Sequence, residues 1–124
     1  MPDPSWWPTE GTPPDERFTL ANERTLLAYT RTALAGLVTG AAVISTPLLT
    51  GGPQWLALVG VVPVVGAAVV AVAARRRFLS NELAMRTGRP LPAPVLAVRL
   101  TTAVAVTALV GVPVLGLAVW LSSR

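Results

Sequence analysis

The chain predicts an all-α integral membrane fold, a bundle of three membrane-crossing helices with the second helix extended into the cytoplasm. Three observations point there. Hydrophobic residues make up 52% of the 124 and charged residues only 13%. The apolar residues fall in long blocks, where an amphipathic soluble chain would alternate them with polar ones. Three of these blocks reach the ~20 residues that match a hydrocarbon core of about 30 Å at about 1.5 Å per residue. A chain this short has room for one compact domain and no separate soluble domain of useful size. Cys and His are absent, which removes thiol nucleophiles, disulfides, imidazole bases and the usual zinc ligands together.

Residues 1–17 read as a disordered, Pro-rich cytoplasmic tail, because the first sixteen hold five Pro, four acidic residues and no periodic apolar pattern. Trp6-Trp7 could dip into the membrane interface. An acidic, Pro-rich start without a positive n-region does not suit a signal peptide, so the first span is expected to stay in the mature protein. Residues 18–124 then form the membrane domain, with spans at about 26–49, 55–74 and 100–121.

The first span is announced by Asn22-Glu23-Arg24-Thr25. Asn22 suits an N-cap, and Glu23 would face the positive end of the helix dipole and offer an acidic partner to the nearby Arg. Arg24, Ala28, Arg31 and Ala35 share one helical face, with Gly36 and Gly40 expected nearby as a small-xxx-small pair that admits another helix. Two positions for Arg31 stay open. If the span starts near Leu26, Arg31 lies about 7 Å inside the boundary; if it starts at Thr32, eighteen residues still cover about 27 Å and Arg31 is an interfacial anchor.

The second span runs from Trp55 into Arg75-Arg76-Arg77. Three successive Arg fan through about 200° of helix surface, so one of them must face the bundle. Phe78 to Thr87 contains no breaker, and Glu82 and Arg86 form an i,i+4 pair. Gly88 before Pro90 supplies a stop, so the helix continues about 50 Å in all. Pro63 and Pro113, inside the second and third spans, predict kinks of the kind a packed membrane bundle tolerates. Trp55 and Trp120 lie at span ends, where an amphipathic ring favours the headgroup level.

All ten basic residues are Arg, and Arg75, Arg76, Arg77, Arg86, Arg89 and Arg99 cluster between the second and third spans. That places this connection in the cytoplasm, with the N-terminus on the same side and the C-terminus opposite. The cluster hugs a membrane and contains no aromatic stacking platform, so nucleic acid is not an expected partner. Asn22, Glu23 and Tyr29 come without a nucleophile or a metal set, and neither catalysis, a cofactor nor a bound metal is expected. The partners expected from the residues are membrane lipids, further copies of the chain or other subunits of a membrane complex, and a polyanion. Arg24, Arg31, Arg75, Arg76 and Arg77 are the candidate residues for anions or lipid headgroups.

The run from Leu20 to Ala35, with Ala-Asn-Glu-Arg-Thr followed by Leu-Leu-Ala-Tyr-Thr-Arg-Thr-Ala-Leu-Ala, resembles the signature that opens the YidH-like family, the domain of unknown function 202. Tyr29 stands where that family usually has Trp. The three-span layout, the Arg-rich end of the second helix and the Arg-Thr-Gly-Arg-Pro-Leu-Pro loop look like the family too. The resemblance implies an inner-membrane protein. Through the related membrane part of the vacuolar transporter chaperone complex, it also implies an oligomer around a polyphosphate channel, with Arg24 and Arg31, and by location Arg75 to Arg77, near the conduit. Two function classes follow: an oligomeric interaction or scaffold subunit with cytoplasmic Arg clusters, or an anion-binding channel module.

Overall fold

The computed structural model describes residues 4–123, and every regular element among them is helical. Helix α1 spans Glu16–Thr50 and α2 spans Trp55–Arg86. They pair side by side as a hairpin closed by the short Gly51–Gln54 turn. Their 35 and 32 residues correspond to about 52 and 48 Å, well beyond the ~30 Å of a bilayer core. Both helices are long and apolar enough to cross a membrane. The protein is a helical membrane protein.

Helix α1 starts earlier than the sequence suggests. Asp15 is the N-cap, its Oδ1 accepting from the Arg17 N–H at 2.9 Å, and Glu16 occupies the first turn. Pro13-Pro14 block any helix upstream, so Asp15 is the first residue able to cap. Asn22 is therefore not a cap; it lies two turns inside α1 and is buried. At the far end Gly51 takes φ 68°, the left-handed C-cap that glycine adopts without a Cβ penalty. Pro47 and Pro63 sit within α1 and α2. Around Pro47 the hydroxyls of Ser45, Thr46 and Thr50 donate to the carbonyls of Ala41, Ala42 and Thr46, the local supplement expected where a proline interrupts the ladder in an apolar setting.

The end of α2 follows its sequence signals. Gly88 has φ 66°, the Thr87 hydroxyl donates to the Leu83 carbonyl at 2.8 Å, and the Arg89 N–H reaches back to Ala84 O at 2.9 Å. This 6→1 bond is the Schellman closure.

The α1–α2 seam is built from small residues. On α1 the buried or half-buried positions from Thr19 to Val43 are 19, 22, 26, 29, 33, 36, 40 and 43, alternating by three and four, the spacing of knobs-into-holes packing. Facing them on α2 are Gly60, Ala67 and Ala74, all buried and seven apart. At Gly40 an added Cβ would stand 2.6 Å from the Gly60 carbonyl oxygen, and at Gly60 it would stand 2.7 Å from that of Gly40. Backbone thus meets backbone, which only glycine permits. Outward, Leu48 and Leu49 are 85% and 84% exposed, as befits side chains solvated by lipid.

Residues 4–14, expected to be disordered, form no helix or strand but lie against the hairpin. The tail cannot build a core of its own, but Trp7 borrows one, its ring 6.0 Å from that of the buried Phe78 on α2. The same expectation for residues 1–3 lies outside the described residues, as does Arg124.

Residues 93–124 form a separate unit. Within it the chain is helical over α3 (Val95–Val106), a π-helical turn (Thr107–Gly111) and α4 (Val112–Ser122). Pro113 removes the N–H that would bond the carbonyl of Leu109, and the π turn falls immediately before it.

Candidate functional site

The charged side chains of α1 and α2, with Asn22 and Asn81, lie in the half of the hairpin away from the Gly51–Gln54 turn. Asn22 Nδ2 donates to the Phe78 carbonyl at 3.0 Å, and Asn81 Nδ2 donates to Asn22 Oδ1 at 3.1 Å. Thr19 Oγ1 donates to Glu82 Oε2 at 3.4 Å, and Arg86 Nε donates to Glu82 Oε1 at 3.3 Å. Glu82 is 1% exposed, and the Arg86 pair supplies the partner that a buried carboxylate needs. The tail completes the cluster: Trp7 lies with the Arg86 guanidinium 5.5 Å from its ring centroid, and the Thr12 N–H donates to the Arg86 carbonyl at 3.1 Å.

These cross-links fix a register in which Thr19 is level with Glu82, Asn22 with Phe78 and Asn81, and Gly40 with Gly60 to Val64. In that register Arg24 stands level with Arg75, Arg76 and Arg77, while Arg31, seven residues on, lies about 10 Å nearer the turn. Arg24, Arg31, Arg75 and Arg76 are exposed, and Arg77 is the half-buried one. It lines a gap of about 10 Å³ with Asn22, Tyr29, Phe78 and Asn81.

Two expectations need correction. Gly36 and Gly40 do not extend the Arg24–Ala28–Arg31–Ala35 face. They lie on the seam with α2, whose centre is about 140° around α1 from the arginine stripe at 100° per residue. The stripe therefore looks away from α2. Glu23 is exposed and, among the described residues, makes no ion pair; the carboxylate that does is Glu82. Thr25 turns its hydroxyl back onto the Ala21 carbonyl at 3.1 Å.

Sequence reasoning found the Glu82–Arg86 pair but not its burial, and missed Thr19, Asn81 and Trp7 as members of the cluster. Local sequence carries no signal for contacts between positions 56 to 79 residues apart. The available hint was compositional: Asn22 and Asn81 are polar residues in two segments that end up side by side, and a buried polar group needs a partner.

Comparison with known proteins places the chain among membrane proteins. The family described as "Domain of unknown function (DUF202)" matches residues 17–84. An uncharacterized protein of Mycobacterium tuberculosis is 44% identical over 82 residues, covering 64% of this chain and 65% of that protein. "Inner membrane protein YidH" of Escherichia coli K12 is 38% identical over 82 residues, covering 66% of this chain and 71% of its own length. The chain thus spans about 65% of the length of the mycobacterial relatives it matches. No solved structure matches it.

Proposed function

The chain belongs to the DUF202 family, and from that premise we propose that it is a multi-pass inner-membrane interaction subunit, without enzymatic chemistry. Its collar of arginines grips anionic lipid headgroups. The ends of α1 and α2 beyond the collar stand in the cytoplasm as a docking post for a partner subunit or for further copies of the chain. The observation that carries this reading is the exposure of Arg24, Arg75 and Arg76 at one level of the hairpin, while the buried carboxylate nearby is already paired with Arg86. The positive charge of the collar is left for something outside the hairpin.

Length supports the headgroup level. With Leu48 and Leu49 in hydrocarbon, a ~30 Å layer along α1 ends close to Arg31, and Arg24 falls about 10 Å beyond it. An arginine near an anionic leaflet contributes about 1 kcal/mol. Three together favour anionic over neutral lipid by about a hundredfold at most. The positive-inside rule directs the collar, and with it the N-terminus, to the cytoplasm.

The test is thermal unfolding in nanodiscs of neutral and of anionic phospholipid. Wild type unfolds at higher temperature in anionic discs, and Arg24→Gln/Arg75→Gln/Arg76→Gln loses that difference while matching wild type in neutral discs. A triple variant that keeps the full difference overturns the reading.

A second reading, an oligomeric anion channel, is favoured by one observation: Arg31 is exposed about 10 Å deeper than the collar, on a stripe with the small Ala28 and Ala35. Anion flux into liposomes that is abolished by Arg31→Ala would select it, and a verified oligomer without flux would reject it.

A further inference from the structure

We infer that residues 4–14 are a reversible strap over the charged end of the hairpin, latched on Arg86. This inference is independent of the lipid reading above. Arg86 is held three ways: its Nε donates to Glu82, its guanidinium lies against Trp7, and its carbonyl accepts from Thr12. That carbonyl belongs to the last turn of α2, where four oxygens lack a helical partner. Leu83, Ala84 and Met85 are served by Thr87, Arg89 and Gly88 of the following turn, and Arg86 by the strap alone among the described backbone bonds. The strap thus finishes the cap of a helix whose last residue lies 74 positions beyond Thr12.

Its sequence is shaped for that contact. Gly11 has φ 80°, and an added Cβ would collide with the Arg86 carbonyl, so this position requires glycine for both conformation and space. Pro4, Pro8, Pro13 and Pro14 stiffen the segment and lower the entropy lost on docking. Trp7 inserts between Phe78 and Arg86, while Trp6 meets Trp7 edge-on and stays 54% exposed.

The closed strap is attached at few points. Among the described residues one ring contact, one cation–π contact and one backbone bond hold it, and an open groove of about 430 Å³ bordered by Trp7, Pro13, Thr19 and Glu82 remains beneath. A segment with few buried contacts opens more readily than the helices it rests on. Opening uncovers Phe78, Glu82, Arg86 and Thr19 together, a face with an apolar ring, both charges and a hydroxyl.

Hydrogen exchange on the full chain in nanodiscs tests this. The Thr12 amide is expected to exchange slower than an unstructured peptide yet faster than the amides of α2, and both Trp7→Ala and Gly11→Val bring it to the unstructured rate while α1 and α2 stay protected. Because the chain lacks Cys, a lone Thr19→Cys reporter reads the covered face; its maleimide labelling rises about ten-fold when Trp7→Ala is added, as for loss of a local closure equilibrium. Three results overturn the inference: unstructured exchange at Thr12 in wild type, exchange there as slow as in α2, or labelling at Thr19→Cys indifferent to Trp7→Ala.

Discussion

Replacing Gly40 by Ala probes the seam that holds the hairpin together. The new methyl would lie 2.5 Å from Val64 Cγ2 and 2.6 Å from the Gly60 carbonyl oxygen. Neither can yield cheaply, since a valine is stiff at χ1 and the oxygen is helix backbone. Relieving the clash means separating the helices, at the ~1–3 kcal/mol typical of overpacking. Against this stands the ~0.5–1 kcal/mol that alanine gains over glycine within a helix. Gly66 isolates that second contribution, because nothing lies within 4 Å of its added Cβ. Gly66→Ala should therefore be neutral or slightly stabilising. The difference between the two variants, ~1–3 kcal/mol, is the cost of the clash alone. SDS titration of the reconstituted protein, followed by circular dichroism, measures both. Gly40→Ala/Gly60→Ala should cost less than the sum of its parts, since one methyl already opens the gap the other needs. Equal stability of Gly40→Ala and Gly66→Ala would refute the packed seam.

Two further variants address the polar cluster. Asn22→Ala removes the bond to the Phe78 carbonyl and strands the Asn81 amide; the same titration should show a loss of ~1–3 kcal/mol, with Asn22→Ala/Asn81→Ala losing less than the two single effects combined. Glu82→Ala leaves Arg86, itself 11% exposed in its side chain, without its counter-charge, at a cost of ~3–5 kcal/mol; Glu82→Ala/Arg86→Met should recover a large part of that loss. At the turn after α2, Gly88→Ala meets no neighbour within 4 Å yet must hold φ 66°, so thermal unfolding should report ~1–2 kcal/mol of backbone strain.

What could be read from the sequence, and what could not, follows from the range of the interactions. Apolar length and the Arg runs are local properties, and they suffice for α1, α2 and the stop at Gly88. The faces of α1 are not local in the same way. Between Thr32 and Leu49 this helix carries no charge on any side, so no polar face marks the inner side by contrast. The marker is size instead, with Ala33, Gly36 and Gly40 inward, and the arginine stripe on a different side. Asn22 suits a cap by residue type, but that type serves a helix start and a buried cross-link alike; Asp15, directly after Pro13-Pro14, has the stronger claim. The docked tail is the least legible feature. Composition registers that residues 4–14 lack a core, and is silent on the one they share with Phe78 and Arg86.

The collar is tested most directly by the lipid at its surface. Spin-labelled phosphatidylglycerol and phosphatidylcholine, compared by electron paramagnetic resonance in the same reconstituted membrane, report the relative association of each headgroup with the protein. Selectivity for the anionic lipid in wild type, falling to none in Arg24→Gln/Arg75→Gln/Arg76→Gln and screened by salt, is the predicted result. Selectivity that is absent in wild type, or unchanged in the triple variant, would contradict it.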